Sequence, residues 1–431
     1  MEGDSSSYLE MSPVRPVTYP LFLSLLDFFH LPIQSVVWMQ LAIYLGAVGY
    51  LFFAIRTAIP ESWVSGVITI AASTTPFFVS FHGQILTESF WMSLLVFLIG
   101  LVVKHRITPH YINLVGASFL VGGLVILRPV GWAFVPFILL VALYFPLPKK
   151  KVIKTILVVL TPLLIAVSAE HFTAKQIHGS AISSLFPKHI FAKAALIDAD
   201  IPEKLLNDLN QVSLHRELEY DAASVREFIA SSPDSSIRRV ITRNYEVFFQ
   251  YRFLKALPDP KMTATVSDKV LIGTGMERIS FGVVNYIILS LRNYVAQWHW
   301  FDASHPFNYQ KLNKFIKQNR PLPFDKYMTE LTAYKSSLKI AWVLRPLAKL
   351  GGFLTGFLAI VGLYNFVRGR QMVNLLSLSC FFAIALHGYV ALVALTGIPI
   401  PRYLVVVWPL MACSLGFALA TLLSRLKGEH R

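Results

Sequence analysis

Nine stretches of this chain are apolar over lengths that approach or cross a hydrocarbon layer of roughly 30 Å. They lie at about residues 33–55, 61–79, 87–103, 112–127, 130–147, 152–171, 343–367, 372–396 and 402–424. The second is rich in Ser and Thr and the fourth is short, so those two are the weakest crossings. A tenth apolar stretch, Leu21 to Leu31, is too short to span and suits a helix lying in the interface. With 55% hydrophobic and 15% charged residues and a mean hydropathy of +0.56, the chain is outside the range of soluble domains. The fold class expected is an all-α polytopic membrane protein of about nine spans.

Lys and Arg in the short connections set the orientation. Basic clusters fall at Arg56, at Lys104 and Arg106, at Lys149 to Lys151 with Lys154, at Arg368 and Arg370, and at Arg425, Lys427 and Arg431. If these ends are cytoplasmic, the alternate ends face outward: residues 1–32, Phe78 to Thr87, Arg128, the segment 172–342, and Ile398 to Arg402. The scheme closes if 172–342 crosses the membrane an even number of times. Phe281 to Trp298 is the nearest to an extra span there, but Asn285, Arg292 and Asn293 interrupt it, so it reads as an interfacial or buried helix. The expected domains are a first extracytoplasmic loop with its interfacial helix (1–32), a six-helix transmembrane region (33–171), an extracytoplasmic α-rich domain (172–342) and a three-helix transmembrane region (343–431).

The same scheme places the N-terminus outside without a cleavable signal. Either the acidic tail with Glu2, Asp4 and Glu10 is carried across by the following helix, or a first membrane helix precedes Met1. The second is the favoured expectation. The net charge of +15 matches basic flanks and anionic lipids rather than nucleic acid. Cys380 and Cys413 lie within apolar runs and behave as small hydrophobes.

Residues 172–342 differ in composition from their flanks. Arg216-Glu217-Leu218-Glu219 and Arg238-Arg239 interleave with apolar residues at helical spacing, while Pro258 to Thr265 and Asp302 to Phe307 read as loops. Gly352 and Gly356 have the small-residue spacing that lets membrane helices approach closely.

The outward ends collect a set of polar residues. Acids at a membrane boundary are costly and point to function, which singles out Asp4 and Glu88, although a terminal charge and a helix-capping acid are their ordinary alternatives. Arg15, Arg128 and Arg402 share that side. A guanidinium holds a phosphate in two-pronged fashion, so the set fits a phosphate-bearing lipid at the interface. His82 and the group His299, Asp302 and His305 carry metal-ligating side chains without an established zinc spacing; no cofactor is assigned, and a divalent metal is left open. No phosphate-binding glycine loop, GxSxG motif or dinucleotide fingerprint is present.

The order Asp4-Ser5-x-x-Tyr8, Arg15-Pro16-x-x-Tyr19-Pro20-Leu21-Phe22-Leu23, Thr87-Glu88-Ser89, Leu127-Arg128-Pro129-x-Gly131 and Arg402-Tyr403 resembles the protein mannosyltransferase and aminoarabinose transferase-like branch of the GT-C glycosyltransferases. The resemblance implies a GT-C-type helix bundle that moves a sugar from a polyprenyl-phosphate donor to a glycan, lipid or protein acceptor on the extracytoplasmic face. It assigns Asp4 as base, Arg15 and Arg402 to the donor phosphate, and Glu88 to positioning donor or acceptor. Tyr8, Tyr19, His82, Arg128 and Tyr403 complete the expected substrate-binding set. The chain departs from the family in lacking the helix that precedes the acid-bearing loop, and it has fewer spans than the larger members.

Chemically, such a donor brings its own leaving group, so the site needs a base for the acceptor and positive charge for the departing phosphate. A lipid-linked polysaccharide polymerase or ligase, or a membrane transporter, are the alternatives. Repeat symmetry and mid-membrane acids, expected of a transporter, are not apparent in the sequence. The scarcity of cysteine and the lysine-flanked helices suit a bacterial inner membrane, with the site on the periplasmic face.

Overall fold

A computed structural model describes residues 5–13, 15–74, 82, 85–145, 152–179, 189–190, 193–194, 272–273, 275–298, 339–369, 374–397 and 401–427. The regular elements among them are helical, with no strand: α1 (Ser5–Leu9), α2 (Thr18–Phe28), α3 (Gln34–Ala58), α4 (Ser62–Ser73), α5 (Thr87–Ile107), α6 (Tyr111–Leu127), a 3-10 turn (Pro129–Ala133), α7 (Phe134–Tyr144), α8 (Val152–His178), α9 (Val283–Trp298), α10 (Lys339–Val367), α11 (Asn374–Thr396), α12 (Pro401–Val406) and α13 (Trp408–Leu426).

Among the described residues six helices are long and apolar enough to cross a membrane: α3, α5, α8, the Pro346–Val367 part of α10, Leu375–Thr396 of α11, and α13. The protein is an all-α, multi-pass membrane protein. The other three expected crossings are shorter helices, Ser62–Ser73, Tyr111–Leu127 and Pro129–Tyr144. In the α4 segment the Ser/Thr hydroxyls turn back onto the helix's own carbonyls, as they do in the longer helices. Thr69 and Ser73 donate their hydroxyls back to Ser65 O (2.8 Å) and Thr69 O (2.7 Å), and Thr74 to Ile70 O (2.6 Å), which satisfies the hydroxyls inside an apolar segment. The helix ends after 12 residues. By contrast, α8 continues to His178, past the expected end at 171.

The chain divides into two compact units, Met1–Ile182 with Leu350–Val390 and Arg402–Arg431, and Ser183–Lys349 with Ala391–Pro401. In the first, α5 is buried on nearly every side from Thr87 to His105. It is flanked by α3 and α6, with the Tyr50 ring lying where a Cβ on Gly100 would project. Gly122 of α6 lets α8 approach, since a Cβ there would sit 2.7 Å from Ala166 Cβ. Trp91, Phe134 and Tyr389 join α5, α7 and α11 through ring centroids 5.5 to 6.0 Å apart. Ser379 and Ser414 exchange hydrogen bonds with each other's backbone carbonyls at 2.7 and 2.8 Å, which locks α11 to α13. Of the Gly352 and Gly356 pair on α10, Gly356 faces the His387 ring at ordinary contact distance, 3.6 Å from where a Cβ would sit; the close approach falls one residue before Gly352, at Gly351 against Met411, and Thr355 bonds His387 Nε2 at 3.0 Å. Exposed Trp38, Phe53, Ile153, Leu157, Phe353 and Phe357 are apolar surface of the kind a lipid environment covers.

In the second unit, α9 follows the short helix Gly275–Phe281 across a 105° bend. Together the two are long and apolar enough to cross a membrane as a bent pair, which would make a seventh span. The polar residues that interrupt α9 point inward in part: Asn293 and Gln297 are buried. Tyr286 donates to Leu395 O at 2.6 Å, and Lys193 reaches Ala394 O while lying over the Tyr286 ring. A cation at the end of α11 complements the helix dipole. The expected amphipathic segments around Arg216 and Arg238 and the expected loops at 258–265 and 302–307 lie outside the described residues.

Candidate functional site

The site builds up from the ends of four elements in the first unit. At the start of α5, Leu86 is extended (φ −143°, ψ 147°) and releases Thr87, Glu88 and Ser89 into the first turn. All three are buried, Glu88 to 1% exposure. At the end of α6, Arg128 leaves the helix in an extended conformation, and its N–H still bonds Leu124 O at 3.1 Å. Pro129 then opens the 3-10 turn, which closes with Gly131 N–H on Arg128 O at 2.8 Å. The turn folds back so tightly that a Cβ on Gly131 would sit 2.5 Å from Leu124 O. Only glycine fits, and the Arg-Pro-x-Gly sequence is therefore the device that turns Arg128 off the helix axis. Its guanidinium meets the Glu88 carboxylate, Nη1 to Oε1, at 3.1 Å. The same guanidinium lies 5.3 Å from the Tyr403 ring centroid of α12.

From Glu88 a polar chain runs into the N-terminal arm. Thr87 Oγ1 lies 3.5 Å from Glu88 Oε2 and 3.2 Å from the Tyr8 hydroxyl. Arg15 donates Nε to Ser7 Oγ at 3.0 Å and Nη1 to the Tyr8 hydroxyl at 3.5 Å, with its guanidinium 4.9 Å from the Tyr8 ring centroid. Tyr8 in turn meets Tyr19 edge-on, centroids 5.2 Å apart. Burial first, then Tyr8 and the Glu88 carboxylate, raise the Tyr19 phenol well above its ordinary range, so it stays protonated. It donates to Gln40 Oε1 at 2.9 Å, and Gln40 passes a bond to the His82 carbonyl at 3.2 Å.

His82 closes the circuit. Its Nδ1 lies 2.6 Å from Ser89 Oγ, and its ring is 4.3 Å from that of Tyr44. Burial pushes the imidazole down to about 4, so it is neutral near neutral pH.

Seven of the nine expected site residues are thus brought into one connected region: Tyr8, Arg15, Tyr19, His82, Glu88, Arg128 and Tyr403. Asp4, and the side chain of Arg402, lie outside the described residues, as do His299, Asp302 and His305. No protein-family model, curated protein or solved structure matches this chain.

Among the described residues no three His, Cys, Asp or Glu side chains converge as a metal site. Glu88 faces a guanidinium, and His82 faces a serine and a tyrosine. Arg128 holds Glu88, so its first role is structural, and the buried pair is a neutral unit. Two residues join the region without having been singled out in the sequence. Gln40 links Tyr19 to His82. Glu170, near the far end of α8, accepts Val17 N–H at 2.6 Å and the Thr18 hydroxyl. An acid inside an apolar run is a sequence signal for the latter; nothing in the sequence marks Gln40.

Proposed function

We propose that this protein is a membrane glycosyltransferase of the GT-C type, moving a sugar from a polyprenyl-phosphate donor to an acceptor on the extracytoplasmic face. The observation that carries the reading is the meeting of the N-terminal arm with the start of α5: Arg15 and Tyr8 of the arm join Thr87 and Glu88 through a continuous polar chain. These residues come from distant parts of the sequence, and they gather at helix ends, where a lipid phosphate meets water.

In this reading Asp4 takes the proton of the acceptor hydroxyl or amine as it attacks the anomeric carbon. The bond from that carbon to the phosphate oxygen breaks, and the polyprenyl phosphate leaves with the electron pair. Arg15 and Arg402 stabilise the charge that develops on it. Glu88, fixed by Arg128, accepts hydrogen bonds that orient sugar or acceptor. The neutral His82 and the protonated Tyr19 supply further hydrogen-bonding groups to the wall beneath the arm.

The test is incorporation of label from radiolabelled polyprenyl-phosphate sugars by membranes containing the protein. Wild type transfers label; Asp4→Asn abolishes transfer while inserting normally, and Arg402→Ala raises the apparent donor KM more than it alters acceptor use. Full activity of Asp4→Asn removes Asp4 from the mechanism. Failure of wild type to transfer from any polyprenyl-phosphate sugar overturns the reading.

A further inference from the structure

The arm that carries Arg15 continues directly into α2, and its last turn before that helix is held from elsewhere in the fold. Val17 is fully buried, and its N–H points at Glu170 Oε1, 2.6 Å away. The Thr18 hydroxyl donates to the other carboxylate oxygen. Glu170 lies 153 residues away in sequence, on α8, with 9% of its surface exposed. Pro20 offers no N–H, and Leu21 N–H is taken by Val17 O at 2.8 Å. The carboxylate therefore satisfies a donor at the start of α2 and complements the positive end of that helix.

We infer that Glu170 is the positioning residue of the arm: by clamping Val17 and Thr18 to α8 it fixes Arg15, two residues upstream, in its place on Tyr8. This rests on the proposed donor role of Arg15 for its functional consequence, but the clamp itself does not. A carboxylate serves better than a neutral acceptor because hydrogen bonds to a charged group are stronger. Without the clamp, the arm retains Arg15 through Ser7 and Tyr8, which belong to the same arm, and through the Tyr8 to Thr87 bond.

Two measurements on the whole chain separate clamp from consequence. In the first, Val17→Cys is introduced and its modification by a maleimide is timed, with the unsubstituted chain, whose two cysteines are buried, as the blank. Adding Glu170→Ala is expected to speed labelling roughly tenfold or more, the scale for losing a hydrogen bond to a charged acceptor. Glu170→Gln, which can still accept from Val17, is expected to stay within a few-fold of Val17→Cys alone, and Thr18→Ala to fall between. Equal labelling with and without Glu170→Ala overturns the clamp. If Glu170→Ala aggregates on gel filtration, the Thr18→Ala variant decides instead: labelling no faster than Val17→Cys alone overturns the clamp in the same way.

In the second measurement, transfer is followed against donor concentration without the added cysteine. Glu170→Ala is expected to raise the apparent donor KM about tenfold with a smaller change in kcat, and Glu170→Gln to restore it. Faster labelling with an unchanged donor KM overturns the positioning role. If wild type transfers nothing, the glycosyltransferase reading fails, while the labelling rates still decide the clamp.

Discussion

At one end of the first unit an arginine meets a carboxylate; at the other an arginine meets a hydroxyl and a ring. Arg128 is matched by Glu88 at 3.1 Å, whereas Arg106 donates to Ser377 Oγ at 3.0 Å and lies 4.6 Å from the Phe145 ring centroid. Both ends belong to α5, which runs from Glu88 to Arg106 over about 27 Å, and Lys154 joins the second end by lying over Tyr111. The two ends are used differently. Where the acid and base are buried together, their charges cancel and a defined polar region is built around them. Where cations rest on a hydroxyl and on aromatic rings, these partners do not cancel their charge.

The contrast is most exposed to failure at the ion pair. Arg128→Met leaves Glu88 buried without its cation and should cost about 3–5 kcal/mol, read as a lowered denaturation midpoint in detergent. The double variant Arg128→Met, Glu88→Gln should recover part of that loss, because no charge is left alone. A single variant as stable as wild type would show that the pair does not hold this end together.

A smaller effect should follow acidification. His82 has a folded-state pKa of about 4 against an ordinary value of 6.5. The unfolded chain takes up that proton first, so the stability linked to neutral His82 is complete above about 6.5 and declines as pH falls toward 4. Unfolding midpoints recorded across that window should fall less steeply for His82→Gln than for wild type. Parallel curves would assign the decline to other groups.

The smallest effect belongs to the basic end. Arg106→Gln should cost about 1–2 kcal/mol, the scale of a cation–π contact plus one hydrogen bond. Its midpoint is best measured beside that of Arg128→Met; a loss as large as that of the ion pair would erase the distinction between the ends.

How much of this was legible in the sequence varies with the kind of signal. Long apolar runs are written locally, and α3, α5, α8, α10, α11 and α13 lie where hydropathy puts them. The shorter α4 and α6 are apolar over much of the same stretches, but where a helix stops depends on local turn chemistry, such as the Arg128-Pro129 exit of α6, that hydropathy does not report. Glu88 stood out because an acid at a membrane boundary is costly, and Arg128 because it lies at an end that the basic clusters do not mark. The geometry that joins them depends on a turn whose glycine requirement comes from Leu124, seven residues earlier. Gln40 was hidden for a different reason: its partners are a phenol and a carbonyl from distant segments, and pairing of that kind leaves no local pattern; Glu170 is marked as an acid within an apolar run, but its amide partner 153 residues away is not. The roles of Asp4 and Arg402 rest on sequence resemblance alone.

The Glu88–Arg128 pair also bears on how the protein is made. Both residues sit on the same helical hairpin, Glu88 at the beginning of α5 and Arg128 just past the end of α6, with only residues 108–110 between the two legs. Trp91 Nε1 already reaches Leu124 O across the hairpin at 3.2 Å. The partners for the two charges are therefore synthesised within one short interval and need no later segment to find each other. An isolated acid or arginine in a nascent helix would resist entry into lipid by a few kcal/mol; a hairpin that closes on its own ion pair cancels the two charges at its open end, opposite the basic turn that carries Lys104 and Arg106, and leaves the N-terminal arm, α8 and α12 to dock on a finished surface.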